Sequence, residues 1–198
     1  MAAMRQLGNG LSDANHHEAA LSVREAELAM QRRVGVTERD VLAVHTNLSN
    51  SYQMLDRLDE ALHTRREVYY GTLKLYGEEH EITLVAANNY ANLLESFGRC
   101  EEASSLMRKS IPVARRVLGE TKVITLRIRW VYALALYNDK GATLDNLREA
   151  VETLDSVAQL WKRVFGEAHP ETPSVQAALA NAREALAARA AASSSGAA

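Results

Sequence analysis

Apolar and small residues recur along this chain at the spacing of one helix face, and short polar turns interrupt them at regular intervals. In the stretch 102–119, Ala103, Met107 and Ala114 fall at helical spacing. Such a helix ends each time at a glycine preceded by an apolar residue: Val34-Gly35, Tyr76-Gly77, Leu118-Gly119 and Phe165-Gly166. Sixteen residues before each glycine stands an alanine preceded by glutamate, at Glu18-Ala19, Glu60-Ala61, Glu102-Ala103 and Glu149-Ala150. From each glycine to the next Glu-Ala pair the distance is 25, 25 and then 30 residues. The chain is therefore a repeat of 42 residues, with five extra in the last unit.

Each unit predicts two helices. Helix A runs from the glycine to a polar turn, DRLDE (56–60), GRCEE (98–102) or NDKGATLDN (138–146). Gly98 and Gly141 suit such turns because glycine tolerates positive φ. Helix B runs from the Glu-Ala pair to the next glycine. Ala19, Ala61, Ala103 and Ala150 would let the two axes approach closely, with Leu48, Tyr52, Tyr90 and Leu94 filling the A side. Aligning Leu7 with Leu48 requires a turn one residue shorter in the first unit. Pro112 falls inside a helix B and predicts a kink there. The units are joined by near-copies of one heptapeptide, GEEHEIT (77–83), GETKVIT (119–125) and GEAHPET (166–172). The middle copy lacks the histidine, so the heptapeptide reads as a hinge rather than a site. His80 and His169 share a repeat position suited to capping the next helix, with Pro170 in its first turn.

Together with the stretches NLSNSYQMLDRLDEAL (47–62) and NYANLLESFGRCEEAS (89–104), these links resemble the tetratricopeptide repeat in its 42-residue, kinesin light chain-type form. The likeness covers about residues 4–186 and is more specific for fold than for function. It implies an all-α fold, a right-handed α-solenoid of antiparallel helix pairs. Four repeats, about 1–35, 36–77, 78–119 and 120–166, would be followed by a C-terminal capping helix over 172–190. One domain would span 1–190, and residues 191–198 would form a disordered tail.

Composition agrees with helix: 47% hydrophobic and 24% charged residues, with three prolines and ten glycines in 198. A net charge of −2 gives no basic excess, so neither nucleic acid nor an anionic membrane is an expected partner. The most apolar stretch, ITLRIRWVYALALY (124–137), is short and carries two arginines, so no membrane insertion is expected. One cysteine and no signal-peptide pattern favour a reducing, cytoplasmic location. Six scattered histidines show no zinc-type spacing, so no metal is expected, and no cofactor motif occurs. Cys100 has no adjacent base, and GNGLSDAN (8–15) is a poor phosphate cradle. No residue argues for catalysis.

The resemblance places the A helices on a concave groove that binds a peptide or protein segment, in an adaptor or scaffold role. The groove positions it implies are Arg5, Asn9, Thr46, Asn50, Gln53, Asn88, Asn92, Glu95, Arg127, Trp130 and Tyr137. Asn9, Asn50 and Asn92 form a run of amides able to grip a peptide backbone, or to bond a neighbouring helix. Arg5, Asn9 and Asn50 resemble part of the clamp with which tetratricopeptide co-chaperones hold a C-terminal carboxylate, but Asn88 and Asn92 stand where the basic pair of that clamp would be. Arg127 and Trp130 would make a second focus, with Trp130 either lining the groove or buried. Two rival readings are a structural spacer or self-associating fragment of a longer repeat array, joined end to end, and a ligand-sensing regulatory domain of an enzyme complex.

Overall fold

The computed structural model describes residues 2–195 of the chain. Among them are nine α-helices: α1 (Ala2–Asp13), α2 (His17–Val34), α3 (Glu38–Met54), α4 (Leu58–Tyr76), α5 (Glu81–Ser96), α6 (Cys100–Leu118), α7 (Val123–Tyr137), α8 (Leu144–Phe165) and α9 (Thr172–Ser195). The fold class is all-α, with consecutive antiparallel helix pairs of the solenoid type. The chain divides into two compact units, residues 1–78 with α1–α4 and residues 79–198 with α5–α9. Helix α9 continues to Ser195, and residues 196–198 of the expected tail lie outside the described residues.

In the first unit Leu21, Val44 and Leu48 form the buried cluster, with Leu28, Tyr52 and Leu55 packed against it. Ala61 is fully buried at the α3–α4 crossing, as its small side chain predicts. The matching residue of the first pair is Ala20, fully buried, whereas Ala19 is exposed. The turns explain the offset. Asn15, Asp56 and Gly98 all adopt left-handed backbone, at φ 61°, 57° and 71°, and each stands five residues before a buried alanine. Asn and Asp tolerate that region better than most side chains. The turn fixes the register, so the missing residue of the first repeat lies in helix α2 and not in the turn before it.

Helix α2 accordingly ends differently. Gly35 closes it at φ 70°, ψ 48°, and the N–H groups of Gly35 and Val36 both donate to the Gln31 carbonyl, at 3.1 and 3.4 Å. Gly119, which ends α6, instead sits at φ 87°, ψ 163°. Gly141 has no positive φ, and the turn before α8 is closed by Asp139 and by the Thr143–Asn146 capping box.

The second unit is the more apolar. Leu126, Val157, Trp161 and Val175 form a fully buried cluster, and Ala103, Met107 and Ala114 carry the inner stripe of α6. Helix α6 runs without interruption through Pro112. Of the link histidines, His80 caps α5, its Nδ1 accepting from the Ile82 N–H at 3.2 Å, whereas His169 Nδ1 accepts from the Glu171 N–H at 3.2 Å within the link, before α9 begins. Pro170 lies in the link, and the first-turn proline of α9 is Pro173. Glu79 of the link pairs with Arg116 of α6 at 2.6 Å, and Glu81, the first residue of α5, pairs with Lys122 of the next link at 3.6 Å. Both pairs are exposed, so each contributes about 0–1 kcal/mol.

Candidate functional site

In the second unit, Asn88 and Asn92 of α5 and Arg127, Trp130 and Leu134 of α7 surround one cavity of about 340 Å³. Their spacing explains the gathering. Asn88 and Asn92 are one helical turn apart, and Arg127, Trp130 and Leu134 occupy one face of α7, so two adjacent helices turn these faces toward a common space. Asn89, Val131 and Glu171 complete the lining, and the repeat pattern alone does not place them there. Glu171 sits in the link before α9, within the heptapeptide GEAHPET.

Polar groups at this cavity are incompletely engaged. Asn88 is buried and its Oδ1 makes no hydrogen bond among the described residues. Trp130 is half-buried: its ring packs edge-on against Trp161, with centroids 6.1 Å apart, and its Nε1–H is buried without an acceptor. It therefore belongs both to the core margin and to the cavity wall. Arg127 is paired, donating from Nη2 and Nε to the two carboxylate oxygens of Glu171 at 2.6 and 3.3 Å. The pair is partly exposed, so its net worth is small and it can open. Glu95 accepts from Asn138 Nδ2 at 2.6 Å. Burial raises the Tyr137 phenol, an effect opposed by its hydrogen bond with Asn181.

The remaining candidates sit in the first unit, where partners within the unit occupy them. Asn9 Oδ1 accepts from Arg24 Nη2 at 3.2 Å, and Asn50 Oδ1 from Arg65 Nη2 at 2.9 Å. These are the same contact, fifteen residues apart in each repeat. Arg65 also donates to Gln53 at 3.3 Å. Buried Arg24 reaches on to Ser51, and burial lowers its pKa despite Asp13 and Glu27 nearby. Arg5 donates to Glu27 at 3.4 Å, and Thr46 donates back to the Leu42 carbonyl at 2.9 Å. Fifteen residues after Asn92 stands Met107, so the third repeat has no arginine to hold its amide. Asn92 is exposed and bonds nothing among the described residues. That arginine-to-methionine exchange was readable in the sequence once the repeat was aligned, and it separates the amide in the second unit from the two in the first.

Among the described residues no group of three or more His, Cys, Asp or Glu side chains could hold a metal ion. Burial pushes the Cys100 thiol up, away from the reactive thiolate. No described helix is long and apolar enough to cross a membrane.

Known proteins align with this architecture. The tetratricopeptide repeat family matches residues 40–116 and 134–171, together more than half of the chain. Two crystal structures of a Podosopora anserina kinesin light chain-type protein with nearly identical TPR-like repeats superpose well. One, a point-substituted form, gives a TM-score of 0.78 at 21% identity over 98% of this chain and 89% of that one. The other gives 0.76 at 22% identity, over 98% and 90%. BtubC (BKLC) from P. vanneervenii gives 0.63 at 14% identity, over 93% and 79%. At these identities the likeness is one of fold. In sequence, the clustered mitochondria protein homolog of Ajellomyces capsulatus (strain NAm1 / WU24) is 26% identical over 136 residues, 67% of this chain and 11% of that protein. The chain thus spans about a tenth of the curated relative it matches. On the matched repeats and the paired-helix fold, the chain belongs to the tetratricopeptide repeat family, generally a non-catalytic protein-interaction module.

Proposed function

We propose that this chain is an adaptor or scaffold that binds an extended segment of a partner protein along the A-helix faces. Its principal contact would be the cavity between α5 and α7. The observation that carries this reading is the pair of buried, unmatched polar groups at that cavity, the Asn88 Oδ1 acceptor and the Trp130 Nε1–H donor. A buried polar atom without a partner costs about 1–3 kcal/mol, and a bound backbone carries both a donor and an acceptor per residue to relieve it. Exposed Asn92 adds an amide of both characters, and Arg127–Glu171 offers a charge pair that can exchange partners. In the first unit the amide oxygens of Asn9 and Asn50 each already accept from an arginine, which leaves mainly their N–H groups for a partner.

Peptides selected from a random display library against the whole protein test this reading. Their affinity, followed by fluorescence polarisation, is expected to fall at least tenfold in Asn92→Ala and in Arg127→Glu. Folding should be preserved in both, because both side chains are accessible. Selected peptides that bind wild type and both variants equally would remove the cavity from the proposal.

A further inference from the structure

Helix α7 presents a second polar face. Two-residue steps turn about 200° around a helix, so Arg129 and Tyr132 lie on the side opposite Arg127, Trp130 and Leu134. There a separate cavity of about 290 Å³ is lined by Arg108 and Arg115 of α6, Arg129 and Tyr132 of α7, and Glu149 and Thr153 of α8. Three guanidinium groups meet one carboxylate at its wall. The groove reading assigns this cavity nothing, and it stands independently of that reading.

Two of the three cations, Arg108 and Arg115, are exposed, and the third is buried. Arg129 is buried at 5% exposure, donating to Ser156 Oγ at 2.8 Å and to Glu120 at 3.4 Å. Arg115 Nε shares the same Glu120, at 2.9 Å. That carboxylate lies outside the cavity lining and serves two arginines at once. Arg108 Nε donates to the Tyr132 hydroxyl at 3.1 Å, and Tyr132 donates to Glu149 at 2.7 Å. The Nη groups of Arg108 and Arg115 make no hydrogen bond among the described residues, although each guanidinium offers five donors. Burial first, and the charge of Arg115 next, lower the pKa of Arg129, with Glu120 opposing. The surroundings therefore favour added negative charge.

Geometry narrows the anion. Arg108 and Arg115 are two helical turns apart on α6, about 10 Å along its axis, and Arg129 approaches from another helix. Donors converging from separated directions suit a tetrahedral oxyanion better than a planar carboxylate, which a single arginine fork satisfies. With Glu149 at the wall and Glu120 behind, the arginines still leave a positive surplus, and a phosphate group brings about −1.5 to −2 at neutral pH. We propose that the cavity between α6, α7 and α8 binds a phosphate group, free or carried on a phosphorylated side chain. Arg108 and Arg115 would close on it, with Arg129 as the fixed charge behind.

Calorimetric titration of the whole chain with inorganic phosphate, at constant ionic strength and against chloride, tests the site. Saturable binding is expected, weakened at least tenfold when Arg108→Gln and Arg115→Gln are combined. Both side chains line the cavity without filling the core, so the thermal midpoint without phosphate should hold. Glu149→Gln keeps the acceptor for Tyr132 while removing the one negative wall group, and should tighten binding severalfold. A purely structural ion network predicts no such gain. N-acetyl-phosphoserine amide supplies the second arm: tighter binding than inorganic phosphate assigns the site to a phosphorylated side chain, and the reverse to free phosphate. Neither ligand binding better than chloride, or equal binding by the double variant, would overturn the proposal.

Discussion

Replacing Gly35 and Gly119 in turn by asparagine should have unequal effects, although both residues close a helix B at the same repeat position. At neither would an added Cβ meet any atom within 4 Å, so packing drops out and only backbone conformation differs. Gly35 is left-handed helical at φ 70°, ψ 48°, a region asparagine enters readily. Gly119, at φ 87° and ψ 163°, lies where essentially only glycine is found, and strain there costs about 1–3 kcal/mol. Each substitution also recovers about 0.4–1 kcal/mol by restricting the unfolded chain. Gly35→Asn should therefore be near neutral, and Gly119→Asn should cost about 2 kcal/mol more. With a urea dependence of about 2–3 kcal/mol per molar, the midpoints should separate by about 0.7–1 M. Equilibrium urea unfolding followed by far-UV circular dichroism measures this. Equal midpoints would refute the claim that the two glycines end their helices by different backbone routes.

Two further outcomes follow from burial. Ala20→Leu should cost about 1–3 kcal/mol by overpacking the α1–α2 crossing, while Ala19→Leu, at an exposed position, should stay within about 0.5 kcal/mol; thermal unfolding of both variants would reverse the assigned register if their order were inverted. Burial lowers the His45 pKa below its ordinary value near 6.5, against an opposing Glu67 at 3.5 Å and with smaller lowering by Arg32 and His63. Below about pH 6.5 the unfolded chain thus binds the proton more readily than the folded one, and stability falls as pH drops through that value. The thermal midpoint should drop more between about pH 7.5 and pH 5.5 in wild type than in His45→Gln, and equal drops would acquit this histidine.

How much of the molecule was written in its sequence depends on the kind of contact. Helix pairs, their order and the placing of GEEHEIT and its copies at the junctions between helices were all legible. Each rests on local rules, the 3.6-residue stripe, the small residue at a crossing and the glycine at a helix end, and the repeat states those rules several times over. Register within the first pair was not, because Ala19 and Ala20 satisfy the same spacing test to within one residue. Only the left-handed turn at Asn15, aligned with Asp56, selects Ala20 for burial. The groove candidates divide on the same principle. A sequence position places Asn9, Asn50 and Asn92 on one repeat face, but it does not say what faces them. Tertiary contact decided that Arg24 and Arg65 hold the first two amides and that Met107 leaves the third unbonded. It also drew Glu171 back onto Arg127 and put three arginines of the second unit around one cavity. Periodicity fixes which face a residue occupies, because that follows from backbone geometry alone. What a polar group bonds depends on side chains arriving from other helices, and only the packed structure brings them together.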